Sequence, residues 1–202
     1  MKMTHAALVS TFLLMLATTC HGADGISPAD AQPPPVVKDT WSEAVKGLRA
    51  RLVFGAEQVV GGTRLPEVFL ELHNAGSGAA PLEFTFNPAK ALTFDLQNGG
   101  GAPVPKTMDV NVSGMAVGPF QITLPKGGTM RFPVSWGGYG IPPDAGTMLC
   151  FEPAVWTIPR DAPGSYFLSA KLEIARTQSV PGKADAWSGL LKIPAVKAPT
   201  KH

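Results

Sequence analysis

Histidine is nearly absent from this chain, with four in 202 residues. His5 and His21 stand near the start and His202 is the last residue, which leaves His73 alone in the body of the sequence. A Ser-His-Asp or Cys-His arrangement would have to be built on that one ring. No G-x-S-x-G elbow frames any serine. His73 precedes Asn74 at the end of an alternating run, on the parity of Glu67 and Glu71, and reads as an exposed strand-end residue. Cysteine is equally scarce. Cys20 lies in the leading segment, so Cys150 has no partner for an internal disulfide. It sits in the apolar Thr147-Met-Leu-Cys-Phe and reads as a small buried hydrophobe. One histidine and one cysteine cannot supply a zinc site. The methionines are scattered, which argues against copper handling. Asp95, Asp109 and Asp144 are isolated, without the D-x-D spacing of a calcium loop. Glu67 and Glu71 would stand roughly 13 Å apart along a strand, too far for a glycosidase pair. They fit a solubilising outer face. No phosphate-binding loop or other cofactor motif is present, so the chain reads as a non-enzyme, with a hydrolase as the remote alternative.

Charge is sparse as well. Only 16% of residues are charged, and the formal net charge is +2, against roughly 25% charged in ordinary soluble domains. There is no basic patch to attract nucleic acid. After residue 20 no apolar run is long enough to cross a bilayer as a helix.

Glycine (22) and proline (20) make up about a fifth of the chain, beside 45% hydrophobic residues. This composition favours an all-β protein with frequent turns. Residues 1–23 have the form of a signal peptide, with Lys2 followed by the apolar Ala6–Thr19. Cleavage after Gly22 would leave small residues at the exit. The alternative is lipidation of Cys20, to which Leu16-Ala17-Thr18-Thr19 is a poor lead. The expected location is therefore secreted or periplasmic, with a membrane-anchored lipoprotein as the second reading. Residues 24–40, with Pro33-Pro34-Pro35, read as a disordered linker. Residues 41–196 form the domain, and 197–202 a frayed tail.

Within the domain, apolar residues recur at every second position, the mark of a strand with one covered face. The inward rows are Leu48/Ala50/Leu52/Phe54, Val68/Leu70/Leu72, Leu82/Phe84/Phe86, Leu92/Phe94/Leu96, Phe120/Ile122/Leu124, Met130/Phe132/Val134/Trp136, Tyr166/Leu168/Ala170/Leu172/Ile174 and Trp187/Leu191/Ile193. Asn74–Gly78, Asn98–Gly101, Lys126–Gly128 and Ala162–Ser165 supply turn residues between them. The spacing predicts eight or nine strands. Pro133 places its strand at an edge or a bulge. One helical turn is expected at Asp39–Lys46.

The segments Val68-Phe-Leu-Glu-Leu-His-Asn-Ala-Gly, Leu92-Thr-Phe-Asp-Leu, Leu124-Pro-Lys-Gly-Gly and Pro163-Gly-Ser-Tyr-Phe-Leu resemble, in that order, secreted bacterial immunoglobulin-like modules. A weaker similarity is to the BsuPI-type protease-inhibitor fold. The resemblance implies an immunoglobulin-like antiparallel β-sandwich, with Tyr166 as a corner tyrosine bonding to backbone. It is nearly silent on activity, because many functions share this scaffold.

One stretch suggests a site. Ser135-Trp-Gly-Gly-Tyr-Gly-Ile-Pro-Pro sets Trp136 and Tyr139 in a glycine-rich loop, and Trp156 follows one strand later. Exposed on a rim, these rings could stack on a sugar or fill a partner's pocket. The plainer reading puts Trp136 inside the core. The expectation is a non-enzymatic binding or structural module outside the cytoplasm, contacting a protein or an envelope glycan. A protease-inhibitor-like protein using residues 98–118 as its loop is the alternative.

Overall fold

Alternation of apolar and polar residues becomes extended chain wherever turn residues bound it. The computed structural model describes residues 40–109, 119–137, 140–152, 154–175 and 186–200, and these contain eleven strands. In chain order they are β1 (Leu48–Val60), β2 (Thr63–Asn74), β3 (Leu82–Phe86), the single turn α1 (Pro88–Ala91), β4 (Leu92–Asn98) and β5 (Met108–Asp109). After these come β6 (Phe120–Leu124), β7 (Thr129–Pro133), β8 (Thr147–Cys150), β9 (Ala154–Ile158), β10 (Tyr166–Ile174) and β11 (Gly189–Lys197).

The fold is all-β, and the described strands form three sheets. The largest has the order β1-β2-β8-β9-β5, with β7 also paired to β2; the others are β11-β10-β4 and β3-β6. Every pairing is antiparallel except the short parallel junction of β2 with β8 at Arg64 and Thr147. β1 and β2 form a hairpin closed by Gly61 and Gly62, both at positive φ (55° and 81°), which suits a two-residue turn matched to strand twist. A register shift between Phe54 and Glu57 then bends the hairpin. Pro133 ends β7, whose described ladder runs to β2 alone, so the proline removes no bond from a strand paired on both sides.

The inward rows meet in one core that draws on all three sheets. Val68, Leu70, Leu72, Phe84, Phe86, Leu168 and Leu172 are fully buried. Phe120 departs from its row: it is 42% exposed at the start of β6. Phe167, on the opposite parity of β10, is buried. Tyr166 is half-buried, and its described hydrogen bond is through the carbonyl, which accepts from the N–H of Ala198. The frayed tail expected from residue 197 therefore starts too early. Lys197 closes β11, Ala198 is buried, and the Pro199 carbonyl accepts a long bond from Thr147 Oγ1.

The expected helical turn before β1 is also replaced. Ser42 N–H donates to the Ala50 carbonyl, Ser42 Oγ accepts from Ala50 N–H, and Val45 and Leu48 exchange bonds around Lys46-Gly47 at positive φ. Edge groups of β1 thus take the bonds that a helix would have kept within itself. The helical turn lies instead at Asn87-Pro88, where Pro88 occupies the first turn with its φ already suited to a helix.

Glu71, expected on a solvated face, is only 9% exposed. It stands between Arg51 and Arg131 in the register of β1, β2 and β7, 2.7 Å and 3.9 Å from their Nε atoms. Trp41 covers the Arg51 guanidinium at 4.6 Å and lies 5.4 Å from His73, and Arg131 stacks on Phe69 at 3.9 Å. His73 is half-buried, with Nδ1 3.1 Å from Thr129 Oγ1.

β8 is buried on both faces. Leu149 joins the main core, while Met148 and Cys150 point the other way, into a second cluster with Leu65 and Val155. Trp136, Ile141 and Ala145 cover that cluster. Burial pushes the Cys150 thiol up to about 11 from 9.0, because a thiolate there would lose its hydration. Two consequences follow from this sign. Alkylation by iodoacetamide at pH 8 should run about a hundredfold slower in the folded protein than in urea, since two pKa units remove that much thiolate. The folded state also keeps its proton longer than the unfolded chain. Its advantage is therefore complete below pH 9 and declines as pH rises toward 11. Equal labelling rates with and without urea would contradict the buried placement.

Candidate binding cleft

An apolar opening lies where β7 leaves β2 and where α1 turns the chain into β4. It is a cleft of about 240 Å³. One wall follows from the Asn87-Pro88 turn. The N–H groups of Lys90 and Ala91 both donate to the Asn87 carbonyl, and Leu92 N–H bonds to the Pro88 carbonyl. This single turn redirects the chain from β3 into β4 and presents Pro88 and Ala89 to the cleft, with Leu92 and Phe94 beneath them.

The opposite wall is the end of β7 and the residues after it. Phe132, Pro133, Val134, Ser135 and Trp136 line it. Pro133 has no N–H to extend the ladder, and the chain crosses from β2 toward β8 at this point. Val134 and Ser135 N–H both donate to the Val68 carbonyl, Ser135 Oγ accepts from Val68 N–H at 2.7 Å, and Ser135 bridges to Phe151. Trp136 N–H then donates to the Cys150 carbonyl. Phe120 stands at the mouth with its ring 6.3 Å from that of Phe132. Behind them Phe86 meets Phe132 at 5.2 Å, and Phe94 stacks on Phe151 at 4.0 Å. The lining is therefore largely aromatic and aliphatic. Its polar side chains among the described residues are Ser135, whose oxygen already serves Val68, Glu152, and Trp136 through its indole N–H.

The three aromatic residues nominated from the sequence part company here. Trp136 does line the cleft, half-buried, with its other side on the second cluster. Trp156 is a correction to the expected site: it is 2% exposed, its Nε1–H donates to the Val104 carbonyl at 3.0 Å, and Phe151 meets its ring edge-on. It belongs to the core and cannot meet a ligand. The signal was available, since Ala154-Val-Trp-Thr-Ile is a nearly continuous apolar run of the kind a doubly covered strand requires. Tyr139 and Cys20 lie outside the described residues. Phe120, Val134, Pro88 and Glu152 were missed as site residues.

No family model, curated protein or solved structure matches this chain. Among the described residues no three His, Cys, Asp or Glu side chains gather as metal ligands, and no helix is long and apolar enough to cross a membrane. The stretch nominated as an inhibitory loop is tied down over its described part. Asn98 Oδ1 accepts from the N–H groups of Gly100 and Ala102, Val104 N–H donates to Leu96, and Thr107 N–H donates to Val155 before β5 joins β9. Residues 110–118 lie outside the described residues.

Proposed function

We propose that this chain is a non-enzymatic binding module of the cell exterior or periplasm, which holds one apolar side chain of a partner protein in the cleft between α1, β4, β6 and β7. We further read its sheets as an immunoglobulin-like sandwich, in line with the resemblance of its strand-end motifs. The observation that carries the binding reading is the apolar lining around Phe120, a large aromatic side chain left 42% exposed at the mouth. A volume of about 240 Å³ exceeds the roughly 150 Å³ that admits a benzene ring and falls short of the roughly 300–1,000 Å³ of small-molecule sites. It fits a single large side chain. A sugar would need several hydrogen-bonding groups, and the one hydroxyl here is engaged, so the protein branch is favoured over the glycan branch. Exposed aromatics bordering a pocket are the usual anchors of protein recognition.

The test is selection of random displayed peptides on the folded protein. Selected sequences should share one large apolar residue, and their binding should fall at least tenfold on Phe120→Asp, a change at an exposed position that leaves the core intact. Peptides without a common apolar residue, or unaffected by Phe120→Asp, would remove the cleft from consideration. Placement outside the cytoplasm rests on residues 1–23 and is checked separately. Mass spectrometry of the native N-terminus should find Ala23 first. A chain that begins at Met1 would refute export by cleavage, and a lipidated Cys20 would make it an anchored protein.

A further inference from the structure

Among the described residues Glu152 is the one charged side chain lining the cleft, half-buried, with the preceding Phe151 bridged through its backbone to Ser135. No ion pair within hydrogen-bonding reach is described for it. A carboxylate held against an apolar wall is less hydrated and less screened than one on an open surface, so a cation brought beside it gains more than at the periphery. Elsewhere in the fold a largely buried carboxylate is met in this way: Glu71 is flanked by two arginines.

We infer that the cleft selects an extended segment of a partner protein in which a large apolar residue is followed or preceded by arginine or lysine. The apolar side chain enters between Phe120 and Val134, and its basic neighbour reaches Glu152. This rests on the cleft being the binding site and adds the sign of charge that the partner must carry. Arginine is the better match, because its planar fork can meet both carboxylate oxygens. An acidic neighbour is rejected by like charge, which gives the site discrimination as well as attraction.

The test uses three acetylated, amidated nonapeptides with a central phenylalanine flanked by arginine, by glutamine or by glutamate, titrated by fluorescence polarisation. The arginine peptide should bind about tenfold more tightly than the glutamine peptide, with the glutamate peptide weakest. Glu152→Gln should abolish the preference, and Glu152→Lys should reverse it. Both variants must melt with the parent, so that a fold defect is not mistaken for lost selectivity. Equal affinities for all three peptides, each lost on Phe120→Asp, would overturn the role of Glu152 and leave the cleft as the site. Failure of all three, together with self-association of the protein that Phe120→Asp abolishes, would assign the cleft to a second copy and overturn the inference. Failure without self-association would overturn it together with the cleft reading on which it rests.

Discussion

Gly146→Ala is expected to destabilise the protein by about 3 kcal/mol or more, a large share of the roughly 5–15 kcal/mol that holds a domain folded. Gly146 stands directly before β8 with φ at +95°, where an L side chain is strained by about 1–2 kcal/mol. A Cβ would also run into the Ile158 carbonyl oxygen, and would lie 2.6 Å from Arg160 N and 2.8 Å from the Pro159 carbonyl carbon. All three are backbone atoms at the end of β9 and just beyond it, so no rotamer relieves the clash. The same glycine's carbonyl accepts from Arg64 N–H, the bond that opens the β2–β8 junction. Gly127→Ala is the control. Gly127 also has positive φ, but an added Cβ there meets nothing within 4 Å, so only the conformational cost of about 1 kcal/mol applies. Urea denaturation should separate the two midpoints clearly. Equal losses would mean that β9 does not pass so close to this turn.

Trp187→Ala should cost about 3–5 kcal/mol, the range for emptying a buried aromatic site. Trp187 is 3% exposed and joins three segments that are distant in sequence. Its N–H donates to the Glu83 carbonyl of β3, its indole Nε1–H donates to the Val45 carbonyl before β1, and its ring lies 5.8 Å from that of Phe84. Gly189, two residues on, leaves the space that the indole uses. Trp187→Phe separates the two contributions. It keeps most of the apolar volume but removes the indole donor from the Val45 carbonyl, which still accepts from Leu48 N–H, a loss of about 0.5–1.5 kcal/mol. Calorimetry or urea unfolding should rank the variants parent, phenylalanine, alanine. Equal destabilisation by both would mean that packing of the indole contributes little.

Much of the fold was legible because the period-two pattern records which face of a strand is covered. Rows such as Val68/Leu70/Leu72 and Leu168/Ala170/Leu172 go inward as read, and the glycine and asparagine clusters mark turns. β8, read as an apolar stretch with Cys150 buried, is covered on both faces, with Trp136, Ile141 and Ala145 over its outer side. The failures have particular causes. Glu71 was misjudged because a charged residue at an outward position normally meets water, whereas here Arg51, Arg131 and Trp41 cover that face. The turn opened by Asn87-Pro88 was not anticipated, because at four residues it is too short for hydrophobic periodicity to register. The cleft was half-visible. Trp136 was nominated for its loop. Phe120, on a good inward row, was assigned to the core, since nothing local distinguishes a strand residue at the mouth of a cleft from one at its floor.

The fold and the binding proposal are joined by one structural fact. Pro133 ends a ladder and Pro88 opens a helical turn, and between these two interruptions the sheets leave apolar side chains partly uncovered. The most direct measurement is a backbone amide NMR titration of the folded protein with the arginine-flanked phenylalanine peptide. Shifts concentrated at residues 88–94, at Phe120, at 132–136 and at Glu152 are the predicted result. Shifts concentrated on the β1–β2 hairpin or on the Trp41–Arg51–Glu71 face, with the cleft unmoved, would contradict it.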